Sequence, residues 1–265
     1  MSIIEAIILG IIQGLTEFLP VSSSGHLEIG KAILGVNIEE DLGFTVLVHF
    51  ATVLSTITVF FSEIRQLLAG LFKFSWNEET KYISKLLFSA IPVLIVGILL
   101  EEEVELLFSK SDASLVFVGI ALLITAILLA LTSFIKPGQP KKLPFSDAFI
   151  IGIAQAFAVI PGLSRSGATI ATGLLLKNNR EQVAKFSFLM VLVPIIGASL
   201  LKLLDWSGTG TSDTGTLSLA AGFIAAYLSG FLACKWMINI VKKGKLIWFA
   251  AYCTVIGLIA IFFTL

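Results

Sequence analysis

Apolar residues run through this chain in long blocks that polar positions interrupt at only a few places. Six blocks, at about 43–62, 83–100, 113–135, 186–204, 216–238 and 246–264, are nearly free of charge. Each holds roughly 18 to 23 residues, close to the 20 or so that a helix needs to cross about 30 Å of hydrocarbon. Inside hydrocarbon every backbone amide must find a partner within its own segment, so the blocks are predicted to be transmembrane helices and the fold all-α. Two further regions, 2–35 and 145–176, are apolar but broken at their centres. Pro20 and the run Ser22, Ser23, Ser24, Gly25 interrupt the first; Pro161, Gly162 and the run Ser164, Arg165, Ser166, Gly167 interrupt the second. The arms after the breaks, near 24–35 and 165–176, hold about twelve residues, or roughly 18 Å of helix, which reaches the bilayer midplane without crossing it. Two re-entrant helix pairs are therefore predicted beside the six spans.

The two broken regions repeat one another. A gapless shift that carries Glu5 onto Asp147 also carries Ala6 onto Ala148, Gly10 onto Gly152 and Gln13 onto Gln155. It places Ser22 on Ser164, Ser24 on Ser166, Gly25 on Gly167 and Phe44 on Phe186. Each half, about 1–135 and 143–265, then consists of one re-entrant pair and three spans. Three is odd, so the second half lies upside down relative to the first. The expectation is a single membrane domain over 1–265, an inverted-topology repeat whose broken helices meet near the midplane and build a ligand site.

Composition agrees with a lipid solvent: 57% of the residues are hydrophobic, 14% are charged and the mean hydropathy is +0.99. A formal net charge of zero argues against a nucleic-acid partner. The apolar start lacks the positive region of a signal peptide, its first basic residue being Lys31, and is expected to belong to the fold. Cys234 and Cys253 lie inside apolar runs without a CxxC spacing and are read as core packing. Loop charge sets an orientation. If 63–82 faces the cytoplasm, then 136–144, 177–185 and 239–245 do too, whereas 101–112 and 205–215 lie outside. Arg65, Lys73, Lys81, Lys136, Lys141, Lys142, Lys177, Arg180, Lys185, Lys242, Lys243 and Lys245 all fall inside. The 101–112 segment carries Glu101, Glu102, Glu103, Glu105 and Asp112 against Lys110 alone. This follows the positive-inside rule, requires 145–176 to be re-entrant, and places both termini outside.

The breaks carry the candidate chemistry. Gln13 and Glu17 are four residues apart and share a helix face. After Pro20 the serines and Gly25 open a new helix, whose free amides and positive dipole end favour an anion, and His26 sits on its first turn. The second break repeats the device with Arg165 in place of Ser23 and with Thr169 one turn on. Two helix N-termini with a guanidinium between them describe a cradle for phosphate or diphosphate. An ionisable group such as Glu17 at membrane depth is functional by default. Gln155 reads as structural glue between helices, and His49, mid-span, as a satisfied core histidine outside catalysis. The serines beside Ser23 read in part as backbone-bonding caps. Gly10 and Gly14 permit close helix packing, within a chain or in a homodimer.

The run Gln13-x-x-x-Glu17, the sequence Pro-Val-Ser-Ser-Ser-Gly-His from Pro20 to His26, and Pro-Gly-Leu-Ser-Arg-Ser-Gly-Ala-Thr from Pro161 to Thr169 resemble the bacterial undecaprenyl-diphosphate phosphatases of the bacitracin-resistance type. The resemblance covers essentially the whole chain. It implies hydrolysis of a polyprenyl diphosphate in the bacterial plasma membrane, to undecaprenyl phosphate, the lipid carrier for cell-wall polymers. It also implies a site facing the periplasm or cell exterior and dependence on a divalent cation, Mg²⁺ or Ca²⁺. Gln13 stands where many members have Glu, which weakens any scheme that needs two carboxylates on this helix.

The expected catalytic residues are Glu17, Ser23, His26 and Arg165. Substrate contacts are expected from Ser22, Ser24, Gly25, Ser164, Ser166, Gly167 and Thr169, and metal contacts from Glu17 with Gln13. In phosphoryl transfer the protein mainly positions the group and neutralises its oxygens. The candidate nucleophiles are Ser23 activated by His26, His26 itself and a His26-activated water; Ser23 or a water is expected to attack while His26 moves the proton. A transporter or flippase for an anionic lipid is the competing reading, because inverted repeats with broken helices are also transporter architecture.

Overall fold

A computed structural model of the chain describes residues 1–36, 42–109, 114–136, 142–197 and 215–262. Among them there are helices and no strand. The first half holds α1 (Ile3–Phe18), α2 (Ser23–Leu34), α3 (Leu42–Val59), α4 (Phe61–Leu71), α5 (Glu78–Ser109) and α6 (Ser114–Leu131). The second holds α7 (Phe145–Phe157), α8 (Arg165–Leu175), α9 (Arg180–Met190), α10 (Thr216–Lys243) and α11 (Ile247–Phe262), with a short helical stretch at 192–197 after a turn at Val191.

The helix ends follow from local chemistry. Ser2 and Glu5 close a capping box on α1, each side chain holding the other's amide, at 3.3 and 2.8 Å. α1 then stops two residues ahead of Pro20, whose ring cannot continue it. Ser22 caps α2 and Ser164 caps α8, accepting from the amides of Gly25 at 3.2 Å and Gly167 at 3.0 Å. The two broken regions thus open their second arms within a residue of the predicted positions.

Three described helices are long and apolar enough to cross a membrane, Glu78–Leu99, Leu115–Phe134 and Thr216–Lys243. A fourth crossing is available if α3 and α4, bent by 76° at Phe60, make one broken span. Ile247–Phe262 is apolar but shorter. The segment expected as a loop at 101–112 is helical as far as Ser109, because its Glu and Leu residues favour helix and contain no Gly or Pro. The span expected at 186–204 turns at Val191, and its part beyond 197, most of the 205–215 loop, and Lys110, Asp112 and Lys141 lie outside the described residues. Large apolar side chains stand exposed on many helices, among them Ile98, Leu99, Ile127, Leu232 and Trp248. Apolar surface on that scale suits contact with lipid rather than water.

The halves interleave. α1 packs on α10, α7 packs on α5, and α6 packs on α11. Small residues permit these close approaches: a Cβ at Gly10 would strike the Gly222 carbonyl, and one at Gly14 would strike Ala226 and Ser229. The packing that Gly10 and Gly14 permit therefore occurs within the chain. Gly14→Val is expected to destabilise the protein by about 1–3 kcal/mol through overpacking, read as a lower midpoint of thermal unfolding in detergent.

Charged side chains from separate segments converge at one end of the bundle. Lys142 meets Glu78 at 2.8 Å, Lys185 meets Glu63 at 3.7 Å, and Lys242 meets Glu181 at 3.0 Å. Such exposed pairs contribute little stability, but they fix which segments lie together. At the same end Asn178, just after α8, donates to Asp147 in the first turn of α7 at 2.8 Å.

Candidate active site between two helix breaks

The breaks preceding α2 and α8 touch each other through reciprocal bonds. Ser24 Oγ accepts from the amide of Gly162 at 3.2 Å, and Ser166 Oγ donates to the carbonyl of Leu19 at 3.1 Å. Each hydroxyl also lies 3.3 Å from the capping serine of its own helix, Ser22 or Ser164. The chain pays for this meeting in strained backbone: Ser22 sits at φ 71°, where a side chain is disfavoured, and Gly162 sits at φ 86°, with Val118 against the place where a Cβ would be. The first-turn amides of Ser23, Ser24, Arg165 and Ser166 have no protein acceptor among the described residues. Four such N–H groups, two from each helix N-terminus, are suited to an anion.

Glu17 is the hub. It is 8% exposed at the end of α1, beside the seam. Arg165 Nη2 donates to its Oε1 at 2.5 Å. Ser23 Oγ donates to Oε2 at 2.8 Å, and Gln13 Nε2 donates to the same oxygen at 2.9 Å. Arg165 also reaches the Ser187 carbonyl at 3.5 Å and keeps further N–H donors for a ligand. The site thus contains a buried, charge-compensated carboxylate, a hydroxyl aligned on it, and unpaired amides around both.

Several expected partnerships differ. Ser23 is paired with Glu17 and not with His26, whose ring nitrogens are both engaged elsewhere. Nδ1 lies 2.8 Å from the Ser22 carbonyl and Nε2 lies 2.8 Å from the Tyr252 hydroxyl. Ser23 meets α1 through Glu17, and His26 meets α11 through Tyr252. The structure also separates the expected catalytic and substrate-binding residues into two groups. Ser23, Ser24, His26 and Arg165 are partly exposed, whereas Ser22, Gly25, Ser164, Ser166, Gly167 and Thr169 are buried. The Thr169 hydroxyl lies 2.6 Å from Ser187 Oγ and donates to the Arg165 carbonyl at 2.9 Å, so it braces α8 from behind.

Gln155 is not interhelical glue. It is 2% exposed and neither polar side-chain atom has a partner among the described residues; the position matching Glu17 in the second half is Val159. His49 is satisfied on one side, where Nδ1 meets the Thr45 carbonyl at 2.8 Å, but its Nε2 lies 4.0 Å from Glu17 Oε2. The sequence reading left both His49 and Tyr252 out. Only an ionisable ring at mid-span pointed to the first, and nothing local pointed to the second. Cys234 and Cys253 are free and buried, as expected.

Fold and site together define a multi-pass helical membrane protein with a polar seam between two broken helices. The chain belongs to the bacitracin resistance protein BacA family, whose family model matches residues 6–259. It is 56% identical to the undecaprenyl-diphosphatase of Parabacteroides distasonis, over 100% of this chain and 99% of that one. It is 55% identical to the undecaprenyl-diphosphatase of Bacteroides fragilis, over 97% and 96%. At greater distance the undecaprenyl-diphosphatase of Halothermothrix orenii is 40% identical, over 98% of each chain.

Proposed function

We propose that this chain is an undecaprenyl-diphosphatase, hydrolysing undecaprenyl diphosphate to undecaprenyl phosphate and inorganic phosphate. Full-length relatives of that name support the activity. The observation that carries the mechanism is the alignment of Ser23 Oγ on Glu17 Oε2 at 2.8 Å beside Arg165. The terminal phosphate is held by the free amides of α2 and α8 and by the guanidinium of Arg165. Ser23 Oγ attacks its phosphorus and gives its proton to Glu17; the bridging P–O bond breaks and undecaprenyl phosphate leaves. Water then attacks the phosphoserine and gives a proton to His26, Glu17 returns its proton to Ser23 Oγ as the Ser–O–P bond breaks, and inorganic phosphate leaves. Transport of an anionic lipid needs no nucleophile, and the Ser23–Glu17 pairing favours hydrolysis.

A divalent cation fits the residues present. Mg²⁺ and Ca²⁺ take oxygen ligands, and Gln13 Oε1 is a buried oxygen without a partner, one turn from the Glu17 carboxylate. Gln13 and Glu17 would hold the ion, which neutralises charge on the diphosphate when bound. Among the described residues no cluster of three or more His, Cys, Asp or Glu could hold a metal.

The topology is read as two inverted halves, each a re-entrant pair followed by three spans. The repeated serine bonds at the two breaks and the exchange of α1 and α7 onto α10 and α5 support it. Lys142 and Lys185 flank 145–176, and both pair within 63–82, which supports a re-entrant α7–α8 and a common cytoplasmic side for these loops. On this reading the chain lies in the bacterial plasma membrane and the first break opens to the exterior.

Phosphate release from undecaprenyl diphosphate by the purified chain in detergent tests the function. Release is expected with Mg²⁺ or Ca²⁺ and is expected to stop with chelator. Gln13→Leu is expected to raise the half-saturating cation concentration about tenfold or more, the loss typical of a weakened ligand set. Release unaffected by chelator would remove the cation from the scheme.

A further inference from the structure

We propose that Tyr252 is a positioning residue for His26, holding the imidazole in one place through both of its protonation states. This inference rests on the diphosphatase reading for its kinetic consequence but not for its geometry. His26 projects from α2 and Tyr252 from α11, 226 positions apart. The Ser22 carbonyl faces Nδ1 at 2.8 Å and has no proton to give, so Nδ1 carries the ring proton and Nε2 is the acceptor. Tyr252 then donates its O–H to Nε2 at 2.8 Å. When Nε2 takes up a proton, the same phenolic oxygen serves as the acceptor after its O–H rotates, and neither ring has to move. The rings lie nearly parallel, 13° apart with centroids at 5.6 Å, so stacking restrains the imidazole plane as well.

The neighbouring residue fixes the source of this restraint. Cys253 Sγ donates to the carbonyl of Pro20 at 3.5 Å, and Cys253 belongs to a buried cluster with Val21 and Val118. Two consecutive residues of α11 therefore grip the first break, one at its turn and one at its histidine. Tyr252 itself is 42% exposed. Its hydroxyl covers the one imidazole nitrogen that could exchange a proton with a bound phosphate or with water. His26 thus works from a fixed platform whose far side comes from the other half of the chain.

The test uses the full chain in detergent and two readouts. The first is carbethoxylation of histidine by diethyl pyrocarbonate, followed by peptide mapping. The chain has two histidines, so His49 serves as an internal reference for folding. Tyr252→Phe keeps the ring and removes only the hydroxyl. It is expected to speed modification of His26 about fivefold, the order expected for losing one hydrogen bond, while His49 reacts at its former rate. Tyr252→Leu, which also loses the stacked ring, is expected to speed it at least as much. The second readout is phosphate release from undecaprenyl diphosphate, where Tyr252→Phe is expected to lower kcat about tenfold with KM within about twofold.

An unchanged His26 rate in Tyr252→Phe overturns the pairing. Faster modification with unchanged kcat, or a loss confined to KM, overturns the positioning role. If the wild-type chain released no phosphate, the diphosphatase reading would fail by itself, and the modification rates would still decide whether Tyr252 holds His26.

Discussion

Arg165→Ala is expected to lower kcat/KM for undecaprenyl diphosphate by about a thousandfold and to destabilise the folded chain by about 3 kcal/mol. Two separate losses combine. On the proposed mechanism the terminal phosphate loses its guanidinium clamp, an interaction that strengthens as charge develops on the transferring group. Glu17, 8% exposed, loses the cation that compensates it, and an unpaired charge at such a position is costly. The two losses separate in a second variant. Adding Glu17→Gln to Arg165→Ala removes the orphaned charge, so thermal stability is expected to return toward wild type while phosphate release stays abolished. Arg165→Lys is expected to recover more stability than activity, since an ammonium neutralises Glu17 without presenting a planar fork to a phosphate. Phosphate-release kinetics and thermal unfolding in detergent read both effects. Near-wild-type kcat/KM in Arg165→Ala would remove Arg165 from the site.

Ser23→Ala is expected to reduce kcat by about a thousandfold or more with little change in KM, because on the proposed mechanism it removes the attacking atom and leaves the anion cradle standing. The control is the adjacent residue. Ser24→Ala leaves the Gly162 amide without its acceptor, which is expected to cost about 1 kcal/mol of stability and only a few-fold in kcat. The contrast is specific to the geometry: Ser23 points at Glu17, and Ser24 points across the seam into backbone. Single-turnover phosphate release separates the two. A Ser23→Ala enzyme retaining more than about a tenth of wild-type kcat would pass the nucleophile's role to water, with Glu17 as its base.

Much of this protein was legible in the chain itself. A block of about twenty apolar residues must be a helix in hydrocarbon, because no other single segment satisfies its own amides there. Pro20 and Pro161 forbid helix locally, and Ser22 and Ser164 restart it by capping an amide three residues on; both events are decided within one turn. The matching residues of the two breaks were legible because they stand at fixed register, and the capping bonds of Ser22 to Gly25 and Ser164 to Gly167 fall at matching positions. Glu17, Ser23, His26 and Arg165 stood out in the sequence as polar groups at the breaks of apolar segments, and the structure brings Glu17, Ser23 and Arg165 into contact.

The partnerships were not legible. Which hydroxyl meets Glu17 depends on the rotation of α2 about its axis, and a change of one residue, roughly 100°, would turn Ser23 away. Arg165 reaches Glu17 across 148 positions, and Tyr252 reaches His26 across 226. His49 enters the site only because α3 packs beside α1 at one depth and not a turn above or below. Sequence by itself determined that the described chain is helical, where the two Ser-rich breaks fall and which residues are too polar for lipid, since those follow from backbone satisfaction and transfer free energy along a local stretch; the bend at Phe60, the turn at Val191 and the helix through 101–109 were not read from it. Tertiary structure alone decided that the hydroxyl of Ser23 faces a carboxylate and the ring of His26 faces a phenol. Those pairings are set by helix rotation and depth in a packed bundle, which no local pattern encodes.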